Sequence, residues 1–160
     1  MFEFMMLGSL AGCVAAILLP KNKEVTMEYT AEFIKVNCDV RAGTLYPCLK
    51  QEVYACLVTT TGERFFGANW MLNNKITVCP RLDFESGTRY DLCEDVCGQG
   101  TDYHAERQAI DACFESSCNP VGSTMYLTGH TYCCTTCTQA LVLTGVRTVV
   151  FVDTGKVEHI

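Results

Sequence analysis

The feature that most narrows the fold is the regular alternation in the second half of the chain. Between Tyr103 and Ser116, Ala105, Ala109, Ala112 and Cys113 recur at i, i+4, i+7 and i+8, a helix face made of small residues. STMYLTG, Ser123 to Gly129, follows as a strand. A further helix opens near Cys134, with Cys137, Ala140, Leu141 and Thr144 on one face and Gly145 placed as its C′ stop. TVVFVD, Thr148 to Asp153, is an unbroken apolar run, predicted to be a strand buried on both faces. Upstream, EVYACLVTT and RFFGAN flank a TGE turn and predict a hairpin. A hairpin followed by helix, strand, helix and strand requires an α/β domain whose mixed sheet is covered by helices. MEYTAEFIKVNC adds a polar helix opening at Met27, and GTRYDLCEDVC a short helix within a looser stretch from Asn69 to Gly100.

Length and composition fit one such domain. The chain has 160 residues, 49% hydrophobic and 19% charged, enough to bury a core without cross-links. No repeat, low-complexity tract or Pro/Gly-rich linker divides it. Residues 1–26 stand apart as an apolar N-terminal segment, leaving 27–160 as a single domain. FMMLGSLAGCVAAILLP, from Phe4 to Pro20, carries no charge but is short for a membrane span. Glu3 stands where a signal peptide has positive charge, and the LAGC box has too short and acidic a lead-in for a lipoprotein signal. The expectation is a buried or oligomer-contacting segment, or a start displaced to Met27, and no membrane partner.

Twelve basic against 18 acidic residues give a net charge of −6, which argues against a polynucleotide partner. The twelve cysteines fit a reducing, cytoplasmic setting better than a disulfide framework. Several stand singly in apolar runs, as Cys56 does in VYACLV, where a thiol acts as a small hydrophobe.

The chemistry concentrates in two short boxes. His104 and Glu106 lie two apart at the first turn of one predicted helix, and Cys134 and Cys137 lie three apart at the start of another. Cysteines three apart on a helix face the same way, and a helix N-terminus favours the thiolate. His/Cys/Cys is a ligand set suited to zinc that leaves the fourth tetrahedral position open, the mark of a catalytic site. Zinc acidifies water, and an adjacent unliganded carboxylate can carry the proton to a leaving group. Together these residues suit hydrolytic deamination of an aminated ring, with Glu106 protonating the ring nitrogen and the departing ammonia.

HAERQAI and CTTC resemble the His-Ala-Glu and Pro-Cys-x-x-Cys boxes of the zinc-dependent cytidine and deoxycytidylate deaminases. STMYLTGHTYCCTTCTQALVLTGVRTVVF and CPRLDFESGTRYDLC resemble the deoxycytidylate-acting branch, and the likeness runs from about Glu52 to Asp153. It implies a cytidine-deaminase-like three-layer α/β/α fold around a five-stranded mixed sheet. It also implies conversion of dCMP to dUMP and ammonia, with His104, Cys134 and Cys137 as zinc ligands and Glu106 as catalytic acid–base. RFFGANWMLNN resembles the strand that ends in a substrate-contacting Asn, here Asn69. A homo-oligomer, commonly a hexamer, and dCTP or dTTP effectors with Mg²⁺ are further implications. Cys133 departs from the family, which usually has Pro there, and TGHTYC is a longer loop that brings His130 close to the site.

Other readings stay open. The same chemistry could serve another cytosine nucleotide or nucleoside, or tRNA adenosine, and a zinc-stabilised binding module is the non-enzyme alternative. A thioredoxin-like role for Cys134 and Cys137 would need a different fold. Cys79, Cys93 and Cys97, with Cys118 as a possible neighbour, form a second cluster that could hold a structural zinc, though without a paired Cys-x-x-Cys signature. Arg64, Arg81, Arg89 and Arg107 are the candidate phosphate contacts, Arg107 being nearest the site in sequence. His159 carries no expected role.

Overall fold

A computed structural model describes residues 28–39, 46–73, 75–98 and 100–160. The apolar segment 1–26 and the proposed start at Met27 lie outside the described residues.

Helix α1 (Ala31–Asp39) is capped by Thr30, whose hydroxyl accepts the Phe33 amide at 3.1 Å. Strands β2 (Tyr54–Val58) and β3 (Arg64–Ala68) form the expected hairpin, and Gly62 supplies the left-handed turn position at φ 93°. A two-residue ribbon precedes and follows them, with β1 (Tyr46–Pro47) antiparallel to β4 (Trp70–Met71). A short helix α2 (Tyr90–Leu92) runs into a π turn at Cys93–Cys97. The second half is α3 (Ala105–Glu115), β5 (Thr124–Thr128), α4 (Thr135–Leu143) and β6 (Thr148–Phe151). A last strand, β7 (Lys156–His159), turns back along β6.

The five-stranded sheet has the order β3-β2-β5-β6-β7, and only β5 and β6 are parallel. Its strands alternate sides. Ala55, Leu57, Phe65, Met125, Leu127, Val149 and Phe151 meet α3 and α4 on one face. Tyr54, Cys56, Phe66 and Tyr126 meet α1 on the other, where Ile34 and Cys38 form its buried stripe. The result is three layers, helix on sheet on helix.

β6 corrects the expectation of burial on both faces. Val149 and Phe151 are buried, but Thr148 and Val150 are half-buried. Helix α1 packs against β2, β3 and β5 and stops short of the sheet's far edge.

Two glycines position the later site. A Cβ on Gly67 would stand 2.2 Å from the Ala105 carbonyl oxygen and 2.5 Å from the Ala109 nitrogen, so its absence lets α3 lie against β3. Gly145 ends α4 at φ 77°, with its amide bonded to Val142 O and the Val146 amide to Leu141 O. No helix among the described residues is long and apolar enough to cross a membrane.

Candidate metal and catalytic centre

Helix α4 follows β5 and α3 precedes it, so both helices present their N-termini at the carboxyl end of β5. His104 is the N-cap residue of α3 and Cys134 that of α4, both with extended backbone. Neither fold element alone brings these boxes together; the sheet does. The His104 Nδ1 lies 3.5 Å from Cys134 Sγ and 3.4 Å from Cys137 Sγ. All three ligand atoms fall within 4.8 Å of one another.

The donor set fits zinc in charge as well as number. Cys134 is pulled down to about 4, first by the hydrogen bond from the Cys137 thiol and further by His104 and the Cys137 amide. That amide reaches Cys134 Sγ at 3.5 Å, the helix start acting on the thiolate through one N–H. Cys137 is pushed up in turn, because the pair shares its proton and Cys134 holds the charge. One thiolate, a second thiol able to give up its proton, and an imidazole are the ligands a zinc ion would take, with room for a fourth.

Glu106 sits in the first turn of α3 and is 6% exposed. Burial pushes its carboxyl up, opposed by its backbone hydrogen bond and the nearby His104. The thiol of Cys133 hydrogen-bonds this carboxylate and is itself pushed up by burial and by Glu106. The residue that departs from the family box therefore touches the carboxylate, while the metal set leaves it out.

A pocket opens on these groups, lined also by Lys50, Gln51, Asn69, Arg81, His130 and Tyr132. Its outer loop is tied down by Asp153, which accepts from Thr128 Oγ1 at 2.7 Å and from the Gly129 amide at 2.6 Å. His130 packs edge-on against Tyr132 at 4.3 Å, and burial lowers its pKa. Asn69 lines the pocket, yet its amide also holds the strand entry: Oδ1 accepts from the Val53 amide at 2.8 Å and Nδ2 donates to Gln51 O at 2.7 Å.

Of the four arginines, only Arg81 lines the pocket. Arg107 pairs with Asp102 at 3.1 Å, Arg89 with Asp91 at 2.8 Å, and Arg64 with Glu28 beside α1. Closeness in sequence misled for Arg107, because the residue after Glu106 points to a different side of the helix. Lys50 also lines the pocket, and nothing in its local sequence marks it. His159 lies on β7, with Nδ1 at 3.4 Å from Thr148 Oγ1. Cys118 packs on the α3–α4 core beside Cys113, not with Cys79, Cys93 and Cys97, which removes it from the second cluster.

The frame and the centre together define a zinc-type hydrolytic site built at converging helix starts of an α/β/α domain. The chain belongs to the cytidine and deoxycytidylate deaminases, since the family's zinc-binding region matches residues 11–153. A crystal structure of cytidine deaminase from Burkholderia pseudomallei is similar at 19% identity, over 81% of this chain and 90% of that one, with a TM-score of 0.47. No curated protein matches the chain in sequence.

Proposed function

We propose that this deaminase acts on dCMP, adding water and releasing dUMP and ammonia. His104, Cys134 and Cys137 would hold the zinc, which when bound supplies a Lewis acid that acidifies water. Glu106 accepts the proton released at that position and delivers it to the ring nitrogen and then the leaving amine. Its buried, upward-shifted carboxyl suits it to hold a proton between those transfers. Asn69 keeps one N–H free of its two strand contacts for a sugar hydroxyl.

The observation that carries the monophosphate reading is the charge of the pocket wall. The chain is acidic at −6, yet Lys50 and Arg81 both line the pocket, and Glu106 is the one carboxylate among its described lining residues. A wall of that sign favours an anionic substrate, and a compact pocket favours a free nucleotide over a polymer.

Ammonia release should be measured on dCMP, deoxycytidine, single-stranded DNA and a tRNA anticodon stem, with dCTP and dTTP added in turn. The expected result is a kcat/KM for dCMP at least roughly tenfold above that for deoxycytidine, reduced toward parity in Lys50→Ala. Equal rates on dCMP and deoxycytidine would remove the phosphate contact, and preference for either polymer would overturn the reading.

A further inference from the structure

Strand β5 ends at Thr128, and a short loop must then turn and deliver Cys134 to the start of α4. This is the carboxyl end of the parallel pair β5 and β6, where α/β sheets place their ligand sites. The turn has little room. Gly129 takes a φ of 87°, and a Cβ there would stand 2.0 Å from the Glu52 carbonyl oxygen and 3.2 Å from the Val53 Cα. Beyond it, residues 130–133 make no backbone–backbone hydrogen bond among the described residues. A stretch with no ladder of its own takes its shape from its ends and its side chains.

Those fastenings can be traced. At the far end Cys134 caps α4, its sulfur accepting the Cys137 amide. In the middle Tyr132 Oη lies 3.4 Å from Ser86 Oγ, and its ring packs against His130. At the near end both peptide groups of Gly129 are held. Asp153 takes the Gly129 amide on Oδ2 at 2.6 Å and the Thr128 hydroxyl on Oδ1 at 2.7 Å. Gln51 donates its side-chain amide to the Gly129 carbonyl. The Gln51 carbonyl in turn accepts from Asn69 Nδ2 at 2.7 Å. One run of hydrogen bonds therefore joins Asp153 to Asn69 through Gly129.

Asp153 is itself well placed to hold a loop. The Val152 amide bonds Leu127 O at 2.8 Å, and the Gly155 amide bonds Phe151 O at 2.8 Å, so the carboxylate rides on a fixed turn after β6. Asn69, Gln51, His130, Tyr132 and Cys134 line the pocket. Gly129 and Asp153 do not; they open on a separate hollow that shares Gln51, His130 and Tyr132 with it. The loop is the partition between the two, and Asp153 grips it from the outer side.

We propose that Asp153 is a positioning residue for the deaminase reaction: through the Gly129 amide and the Thr128 hydroxyl it sets the loop that presents His130 and Tyr132 to substrate. The role belongs to its hydrogen bonds and not to its charge. An asparagine can repeat both, with Oδ1 accepting the Gly129 amide and Nδ2 donating to a Thr128 hydroxyl turned to accept. An alanine can repeat neither. Cys134 and Cys137 stay held by α4 and His104 by α3, so the loss falls on the substrate wall and spares the metal set.

The test compares Asp153→Ala with Asp153→Asn in the full-length, zinc-loaded protein. In Asp153→Ala the Gly129 amide should exchange with solvent at least roughly tenfold faster than in the wild type. The ring-current shift that Tyr132 imposes on the His130 protons should shrink in the same NMR spectra. KM for the best substrate of the panel should rise about tenfold, with kcat changed by less than about threefold and zinc content unchanged. Asp153→Asn should restore these readings toward the wild type. A role in stability alone would lower the melting temperature of Asp153→Ala and leave KM and the His130 signals where they are. Wild-type KM and His130 signals in Asp153→Ala overturn the proposal, and so does an Asp153→Asn protein as impaired as the alanine. If Asp153→Ala does not fold, Gln51→Ala frees the Gly129 carbonyl instead. It is read on the His130 signals alone, because Gln51 lines the pocket, and unchanged signals overturn the proposal. The KM reading rests on the deaminase activity proposed above, whereas the exchange and ring signals do not. A protein inactive on the whole panel that still loses those signals in Asp153→Ala overturns the substrate reading and upholds the role of Asp153.

Discussion

In the proposed acid–base role, Glu106 would serve chemistry against stability. Its carboxyl is buried beside His104 and Cys134, and desolvation raises its pKa above the ordinary glutamate value. The folded state then holds its proton more tightly than the unfolded chain does. Folding stability from this group is therefore undiminished below about pH 4, the unfolded value, and falls as pH rises through the folded pKa. Glu106→Gln removes that loss. With zinc chelated, so that no metal charge compensates, the Gln protein should melt above the wild type at pH 8, and the difference should vanish near pH 4. Equal melting temperatures at pH 8 would mean the carboxylate is compensated in another way. The same variant should keep its zinc while turnover falls by roughly 10²- to 10⁴-fold, the usual worth of a positioned acid–base group. An active Glu106→Gln enzyme would remove the carboxylate from the reaction.

At the scale of elements, the centre depends on how closely α3 lies on β3. The small face of that helix, Ala105, Ala109 and Ala112, meets the sheet where Gly67 has no side chain. Gly67→Ala would put a methyl group against backbone atoms of α3, which cannot rotate aside as a flexible side chain would. We expect about 1–3 kcal/mol of destabilisation from this overpacking, read from chemical denaturation. A shift of α3 also moves His104 and Glu106 together, so zinc affinity should weaken in the same variant. Gly62→Ala is the control, because no atom lies within 4 Å of its added Cβ and only its positive φ of 93° opposes the change. Unchanged zinc affinity in Gly67→Ala would show that the helix start is held independently of its packing.

Across the whole molecule, thiols are spread through every layer and do different work in each. Cys38 and Cys56 fill the α1 face, Cys113 and Cys118 the α3–α4 core, and the rest lie just beyond β1, between β4 and α3, or at the helix starts. Every cysteine among the described residues is free. Unfolding in denaturant and chelator without reductant should therefore expose all of these thiols to a colorimetric reagent, whereas the native protein should react slowly at its buried ones. Missing thiols after unfolding, matched by disulfide-linked peptides in mass spectra, would contradict the free-thiol state.

What could be read from the chain itself is what depends on neighbours in sequence. The small face of α3, the glycine stop of α4 and the β2–β3 hairpin follow from periodicity, capping and turn chemistry acting within a few residues. The two metal boxes are legible for the same reason: each is a short spacing at a helix start. Other features needed the sheet to close. β7, as Lys-Val-Glu-His, mixes charges into an edge strand and lacks an apolar run, and the β1–β4 ribbon has two residues a side. Whether Arg81 or Arg107 faces the pocket depends on how a loop folds back over β5's carboxyl end. The separation of Cys118 from Cys79, Cys93 and Cys97 and the contact of Cys133 with Glu106 are likewise tertiary. Charges and thiols far apart in sequence acquire partners only when packing sets their distances, and no local spacing encodes those distances.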